Sequence, residues 1–435
     1  MDPLTLKERA AAILQTTTTL ADELAQTGHP EPTFEHGIPP HLHGNAPESP
    51  ARTLKHQLFL MVDELQALLS EPVAVLGPEM RLPTSSINPI VRLGIAENFP
   101  PEGSSVQDLA KTVNAKENIV RRLLAHSATH HVFYEAEPDF FVHTAASRAL
   151  SQYQGLRDWI RVGAEEVLPG TLRIADALVE FPDSEEPQHC GWSLANNTPD
   201  PVFKALAALP DRATRIATTM HWQTNNSGFS PTYLADAFPW GTNSTSTSTN
   251  SNSPLTIVDV GGSLGHISLA LATHTHPRAS STKFIIQDRP EIITAGESSL
   301  PENLKDRVSF QAHDFFTDQP AGVHGADIYL LRSVLHDWSD KYAVKILRAL
   351  IPGLRRGAKV LVNERVVPGW REVDYLVERH SREFDMYMLG FQNAKERTRK
   401  DWEGLITQAD ERFQLTGVTQ QKGSLLALLE ITWRG

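Results

Sequence analysis

The stretch Thr256–Gly265, TIVDVGGSLG, decides the fold of this chain. Its first half is a short apolar run with β-branched residues, and its second half is a glycine turn. The next residues, His266–Ala272, are typical of the first turns of a helix. Glycine lets the backbone approach a ligand, and the start of a helix offers unpaired N–H groups, so this order indicates a site for a nucleotide-like ligand. A tight strand–helix connection without a ligand is the alternative.

Further apolar segments follow the glycine turn, and each ends in polar or charged residues. The predicted strands are 283–287, 308–312, 326–331 and 358–364. In an open parallel sheet, ligands bind at the carboxyl ends of the strands. Asp288 stands at such an end, roughly 20 residues past the glycines, where an acid accepts hydrogen bonds from ribose hydroxyls. A helix cap is the alternative role for Asp288.

Four short motifs accompany the glycine turn in a fixed order. They are Gln287–Pro290 (QDRP), His313–Phe316 (HDFF), Leu335–Asp340 (LHDWSD) and Lys395–Thr398 (KERT). Together with the glycine turn they resemble the S-adenosylmethionine-dependent O-methyltransferases of the plant caffeate and isoflavone type, in their fungal secondary-metabolism branch. The resemblance spans residues 57 to 432.

The resemblance implies an α/β fold with a Rossmann-like methyltransferase sheet and helices on both faces. An α-helical winged-helix dimerisation domain would precede the sheet and make the protein a homodimer. We expect four regions: an N-terminal arm or linker (1–52), the winged-helix dimerisation domain (53–152), a helical linker and substrate-pocket region with a flexible loop (153–253), and the S-adenosylmethionine-binding catalytic domain (254–435).

The composition excludes several classes of function. A formal charge of −12 over 435 residues argues against general affinity for nucleic acid or an anionic membrane. Cys190 is the single cysteine, so neither a disulfide framework nor a thiolate metal cluster is expected, and we predict no metal site. The sequence shows neither an apolar signal core nor an apolar run long enough to span a bilayer, which favours a cytoplasmic protein.

Residues 104–150 carry the winged-helix pattern of two helices followed by a hairpin. DNA binding is the obvious alternative to dimerisation for such a module. The segment has five basic and five acidic side chains and is therefore neutral, whereas a DNA-reading domain shows a basic face. The resemblance implies instead a dimerisation module that also covers the substrate pocket of the partner.

Methyl transfer to an oxygen needs an aligned acceptor and a group that removes its proton. His336 is the candidate base, because the ordinary pKa of histidine suits the task. By resemblance, Glu364 and Glu396 bracket His336 from distant points of the chain. Asp337 would position the acceptor hydroxyl or cap a helix. For His336 taken alone, a capped strand end is the alternative.

The cofactor implied by the resemblance is S-adenosyl-L-methionine. Its predicted contacts are Asp288 on the ribose, Asp314 on the adenine amino group, Phe315 against the ring, Gly261 and Gly262 beside the methionine part, and Arg332 where the plant enzymes have lysine. A core position is the alternative for Phe315.

Two positions depart from the plant pattern. The central glycine of the turn is Ser263, so its backbone must tolerate a Cβ near the cofactor. The plant Asn-Pro-Gly-Gly before the KERT motif is Phe391–Ala394 (FQNA), which removes a polar acceptor contact and favours a more apolar acceptor.

Three functions follow from these observations. The first is an O-methyltransferase acting on a hydroxyl of a small aromatic, polyketide or alkaloid secondary metabolite. The second is a pericyclase or dehydrating isomerase that binds S-adenosylmethionine without transferring the methyl, which Ser263 keeps open. The intact His336, Glu364 and Glu396 favour transfer. The third is a DNA-binding regulator, which the neutral charge of the winged helix disfavours.

Overall fold

The computed structural model describes residues 4–33, 49–70, 83–224, 228–240, 255–274 and 281–435. The chain forms two compact units, Met1–Glu165 with Thr214–Trp222, and Glu166–Ala213 with Gln223–Gly435. Most of the predicted arm around 30–50 and the flexible loop predicted over 242–253 lie outside the described residues. The domain boundaries at 52, 152 and 253 remain predictions.

The first unit begins with two packed helices, α1 (Leu6–Gln26) and α2 (Pro50–Leu69). A capping box at Thr5 starts α1, and Ser49 caps α2. Helix α3 spans Thr84–Arg92. The sequence predicts a longer helix, from Ser85 to Phe99, but the chain leaves the helical conformation at Gly94, where φ is +70°.

A helix pair and a hairpin follow, as the sequence predicts for residues 104–150. In chain order the elements are β1 (Ser104–Ser105), α4 (Val106–Thr112), α5 (Glu117–Thr129), β2 (Phe133–Glu137), β3 (Phe140–His143), α6 (Ala145–Gln152), α7 (Gln154–Val162) and a π-helical turn (Gly163–Val167). Strand β3 pairs with both β1 and β2 in antiparallel fashion. Leu109, Leu124 and Phe141 are among the side chains that close the core of this module.

Short helices lead into the sheet of the second unit. They are α8 (Leu168–Thr171), α9 (Ile174–Glu180), α10 (Gly191–Asn196), α11 (Val202–Ala207), α12 (Pro210–Thr224) and α13 (Pro231–Ala237). The amphipathic spacing of residues 202–220 predicts one helix there, but the structure divides it in two before Pro210, which lacks the N–H that a continuous helix needs. Glu166 is 1% exposed and accepts hydrogen bonds from Arg212 at 2.7 Å and from the Trp192 indole at 3.0 Å.

The central sheet has seven strands within the described residues. They are β4 (Thr256–Val260), β5 (Lys283–Asp288), β6 (Val308–Ala312), β7 (Ile328–Arg332), β8 (Lys359–Glu364), β11 (Phe413–Thr419) and β12 (Ala427–Trp433), and a separate short pair consists of β9 (Val366–Val367) and β10 (Arg397–Thr398). The strand order is β11-β12-β8-β7-β4-β5-β6, with β12 antiparallel to its neighbours and the other pairs parallel. The predicted Rossmann-like methyltransferase fold is confirmed.

Helices cover both faces of this sheet because its strands alternate apolar side chains between two cores. In β7, Tyr329 and Leu331 point to the core that includes α16 (Asp340–Leu350) and α18 (Arg399–Ala409). Ile328 and Leu330 point to the core that includes α13 and α14 (His266–Thr273). Each of these side chains is fully buried, and burial of one contributes about 1.5–3 kcal/mol.

Two further helices complete the second unit, α15 (Pro290–Ser299) and α17 (Tyr375–Gln392). The partly apolar segment after the fifth predicted strand predicts a helix that begins at Arg382. Helix α17 begins seven residues earlier, because the Asp374 side chain caps it by accepting the N–H groups of Leu376 and Val377. Among the described residues, no helix combines the length and apolar character that crossing a bilayer requires.

Candidate active site

The turn after β7 places His336 at the carboxyl edge of the sheet. Leu335–Asp337 forms one turn of 3₁₀-helix there. Glu364 ends the neighbouring strand β8, and its Oε1 accepts the backbone N–H groups of Val334 and Leu335, both at 2.8 Å. Glu364 is fully buried, so these hydrogen bonds take the place of those that water would donate to an exposed carboxylate. Glu364 therefore fixes the backbone of the turn.

Glu396 reaches the imidazole ring from a distant part of the chain. It lies between α17 and β10, and its Oε1 is 2.8 Å from Nδ1 of His336. The backbone N–H of Glu396 donates to Asp385 at 2.9 Å, which orients this segment. An ionised carboxylate accepts hydrogen bonds but donates none, so Nδ1 carries the proton of this bond and Nε2 is the nitrogen that can take another.

Asp337 lies on the opposite side of the ring. Its Oδ1 is 3.6 Å from Nε2 of His336. The same oxygen accepts a hydrogen bond of 2.7 Å from the side-chain amide of Gln392 at the end of α17. A carboxylate therefore stands beside the nitrogen that would receive a proton.

Arg397 ties the segment that carries Glu396 to the turn that carries His336. Its guanidinium is fully buried. It donates to the Asp340 carboxylate at 2.9 Å and to the carbonyl oxygens of Leu335 at 2.9 Å and Trp338 at 2.8 Å. Because Arg397 directly follows Glu396, these bonds keep the glutamate against the imidazole.

Three carboxylates act together on the protonation of one imidazole. Burial lowers the pKa of His336, but attraction by Glu364, Glu396 and Asp337 outweighs burial and raises that pKa to about 10. Burial raises the pKa of Glu364 to about 7 against the attraction of His336. Burial likewise raises the pKa of Asp337. In the protein without cofactor or acceptor, the cluster thus favours the imidazolium, in which both ring nitrogens carry protons. The base is the neutral ring with Nε2 free, and the imidazolium is the form that it takes after it has accepted a proton.

The glycine turn after β4 uses left-handed backbone conformations at several positions. The φ angles are +73° at Gly261, +52° at Ser263 and +81° at Gly265. A Cβ at Gly262 would stand 2.7 Å from the carboxyl carbon of Asp259, so a side chain there would collide with a buried acid. Ser263 accepts the left-handed conformation despite its Cβ, at a cost of about 1–2 kcal/mol.

Asp288 joins the end of β5 to this glycine turn. Its Oδ2 accepts the backbone N–H of Ser263 and its Oδ1 accepts the N–H of Arg289, each at 2.8 Å. Burial raises the pKa of Asp288, and both hydrogen bonds lower it. Because a carboxylate oxygen has two lone pairs, each oxygen can accept one more donor, such as a ribose hydroxyl.

Asp314 and Phe315 follow β6 at the same edge of the sheet. Asp314 is exposed, and its Oδ1 accepts the N–H of Phe316 at 3.0 Å. Phe315 is half-buried and makes an edge-to-face contact with Trp338. A Cβ built on Gly261 would lie 3.7 Å from the Phe315 ring. The glycine turn and the HDFF motif are therefore neighbours.

Arg332 ends β7 and is held by groups of the protein. It donates to the Asn363 side chain at 2.6 Å and to the backbone carbonyl of Phe229. Burial lowers the pKa of Arg332 to about 10, against the attraction of Asp259 and Glu364. Arg332 thus anchors the Phe229 segment to the sheet edge, and its contact with the cofactor remains a prediction.

The structure gathers the four predicted catalytic residues into one cluster and lines the predicted cofactor residues along neighbouring strand ends. Sequence reasoning gave no role to Arg397 or Gln392. The available signal for Arg397 was a charged residue inside the KERT motif, whereas the Phe391–Ala394 segment that contains Gln392 was interpreted only as the loss of a polar contact to the acceptor. Over the ranges that the structure describes, no group of three His, Cys, Asp or Glu side chains could hold a metal ion.

Comparison with known proteins identifies the family. Residues 247–411 match the O-methyltransferase domain family. The Grayanic acid biosynthesis cluster O-methyltransferase of Cladonia grayi is 35% identical and aligns over 98% of this chain and 87% of its own length. O-methyltransferase pyvH of Aspergillus violaceofuscus is 34% identical, with 98% of each chain covered.

Solved structures show the same fold at lower identity. OxaC in complex with SAH and oxaline has a TM-score of 0.76 at 21% identity, covering 98% of this chain and 100% of that chain. LepI in complex with SAM has a TM-score of 0.72 at 22% identity, with coverage of 98% and 100%.

The fold and these relatives define an S-adenosylmethionine-dependent O-methyltransferase. This chain belongs to the O-methyltransferase family, alongside fungal enzymes of secondary metabolism.

Proposed function

We propose that this enzyme methylates a hydroxyl of a small aromatic, polyketide or alkaloid secondary metabolite, with His336 as the general base. The contact of 2.8 Å between His336 Nδ1 and Glu396 Oε1 carries the proposal, because it fixes the ring with Nε2 as the proton-accepting nitrogen. The relatives support the acceptor class, since one is named for grayanic acid biosynthesis and another is the Chlorophenol O-methyltransferase of Trichoderma longibrachiatum, 31% identical over 87% of this chain.

The cofactor supplies the methyl group, and the protein removes the proton from the acceptor. S-Adenosylmethionine supplies a methyl group already activated by a sulfonium. Nε2 of His336 takes the proton of the acceptor hydroxyl, which makes the oxygen a better nucleophile. Glu396 and Asp337 stabilise the imidazolium from its two sides, and Glu364 holds the turn in place while adding a third negative charge.

The side chains at the strand ends fit the cofactor by their chemistry. Each carboxylate oxygen of Asp288 accepts one backbone N–H and can accept a second hydrogen bond from a ribose hydroxyl. Asp314 is an exposed acceptor for the adenine amino group, and Phe315 offers a partly open ring. Gly261 and Gly262 leave the backbone without side chains where the methionine part would pass. We propose these five residues as the cofactor site, with Arg332 as a further contact.

We also propose a homodimer formed through the N-terminal domain, including the two helices that precede the winged-helix pattern of residues 104–150. Helices α1 and α2 expose large apolar side chains, among them Leu14 at 70%, Phe59 at 68% and Leu69 at 65%. Water contact with such side chains is unfavourable, and burial against a second copy would relieve it. Sedimentation of the full chain should give twice the monomer mass, and a monomer at micromolar concentration would contradict the proposal.

The second candidate is a pericyclase or dehydrating isomerase that binds S-adenosylmethionine without transferring its methyl group. Its support is structural likeness, since another solved structure, described as a pericyclic reaction enzyme, has a TM-score of 0.72 at 22% identity. The relatives at 31–35% identity are O-methyltransferases, which favours transfer.

The deciding experiment follows labelled methyl from S-adenosylmethionine into a panel of phenols that includes a chlorophenol. Labelled product supports transfer, and an isomerised or dehydrated product without label supports the second candidate. His336→Gln should lower the transfer rate by about 10²–10⁴-fold, with binding of S-adenosylhomocysteine retained. Transfer at the wild-type rate by a folded His336→Gln enzyme would refute the role of His336.

A further inference from the structure

Gln392 stands in the segment where the plant pattern has no glutamine, and it contacts the proposed catalytic cluster. It is the last residue of α17 and is 4% exposed. Its Nε2 donates to Asp337 Oδ1 at 2.7 Å, and that oxygen lies 3.6 Å from His336 Nε2. We propose that Gln392 is a positioning residue that holds Asp337 ionised beside His336, so that the proton taken from the acceptor is retained there. This inference rests on the proposed role of His336.

The amide of Gln392 favours the charged form of Asp337. Its NH₂ group donates to Asp337 Oδ1 at 2.7 Å. A hydrogen bond to an ionised carboxylate is stronger than one to a neutral carboxyl group, so this contact stabilises the anion more than the protonated acid.

Burial makes this hydrogen bond necessary. The side chain of Asp337 is 18% exposed, so water solvates its charge poorly. Burial raises the pKa of Asp337, while His336 and the hydrogen bond from Gln392 lower it. Without the amide, the carboxylate has lost one of the two interactions that keep it charged.

Other charged groups face the same imidazole from the surrounding elements. Three carboxylates act on the imidazole: Glu364 on β8, Glu396 before β10 and Asp337 on the turn itself. Three further charged groups lie next to these carboxylates: Asp385 on α17, Arg332 at the end of β7 and Arg365 after β8. Glu396 meets Nδ1, whereas Asp337 is the ion-pair partner that the described residues place at Nε2. Loss of the Asp337 charge would therefore act at Nε2, the ring nitrogen that would receive the proton.

The test measures the pKa of Asp337 by NMR in the full-length protein labelled with ¹³C at aspartate Cγ, without cofactor or acceptor. The signal of Asp337 is the one that disappears in Asp337→Asn. Gln392→Met removes the donor at nearly constant volume and should raise the pKa of Asp337 by about one unit, because the hydrogen bond from Gln392 lowers that pKa. Gln392→Asn, which is one methylene shorter, should do the same. Ser381→Ala, on the same helix, should leave the pKa unchanged.

A second background separates this role from a merely structural one. His336→Gln should itself raise the pKa of Asp337, and Gln392→Met should raise it further, because the amide acts on the carboxylate directly. An unchanged pKa of Asp337 in a folded Gln392 variant, in either background, would overturn the inference. Since the titration needs no acceptor, its failure is distinguishable from failure of His336 as the base, which appears as full transfer activity in His336→Gln.

Discussion

Glu396→Gln removes the charge that faces Nδ1 of His336 and almost preserves the shape of the side chain. In the wild-type protein the two groups are 2.8 Å apart, and the Glu396 side chain is completely buried. The substitution therefore tests the electrostatic support of the proposed base with little change in packing.

The expected loss follows from the geometry. Two unit charges about 4 Å apart attract by about 4 kcal/mol at an effective dielectric constant of 20. This attraction favours the imidazolium that forms as His336 takes the acceptor proton. Its complete loss corresponds to about a 10³-fold slower reaction. The glutamine oxygen can still accept the proton of Nδ1, so we expect kcat to fall by about 10²–10³-fold.

The assay is transfer of labelled methyl to the phenol on which the wild-type enzyme is most active. Binding of S-adenosylhomocysteine, measured by calorimetry, should stay within about threefold, since Glu396 acts on the base. Glu403→Gln on α18 is the matched control, because Glu403 is half-exposed and pairs with Arg399 on the surface. A folded Glu396→Gln enzyme with kcat within about threefold of wild type would refute the proposal that the Glu396 charge stabilises the His336 imidazolium during transfer.

Two more predictions concern the cofactor and pH. Asp288→Asn turns one of the two acceptor oxygens into an NH₂ group, which faces the backbone N–H of either Ser263 or Arg289, and should weaken S-adenosylhomocysteine binding about tenfold or more in calorimetry; unchanged affinity would exclude Asp288 from the site. His336 has a pKa raised from 6.5 to about 10 in the folded protein, so its contribution to stability is complete below pH 6.5 and is lost as the pH rises to 10. The Tm of the wild type should therefore fall more steeply than that of His336→Gln over this range, and parallel Tm curves would contradict the raised pKa.

The predicted strands show what local pattern determines. Segments 308–312 and 283–287 were predicted within one residue of β6 and β5, because apolar β-branched runs with polar ends favour buried parallel strands wherever they occur. Helix ends were less accurate. The start of α17 depends on the single side chain of Asp374, and the end of α3 depends on the backbone at Gly94. Hydrophobic periodicity gives little indication of such local hydrogen bonds and dihedral angles.

Residues close together in the chain account for the sheet, the glycine turn and the charged side chains at the strand ends, so these could be predicted from the sequence. Which charges meet depends on the tertiary structure, although the resemblance implied that Glu364 and Glu396 flank His336. Glu396 lies 60 residues from His336 and Gln392 lies 55 residues from Asp337, and helix α17 with the buried Arg397 brings both pairs within hydrogen-bond or ion-pair distance. The protonation of an imidazole depends on charges within a few ångströms, and separation along the chain does not reveal that distance.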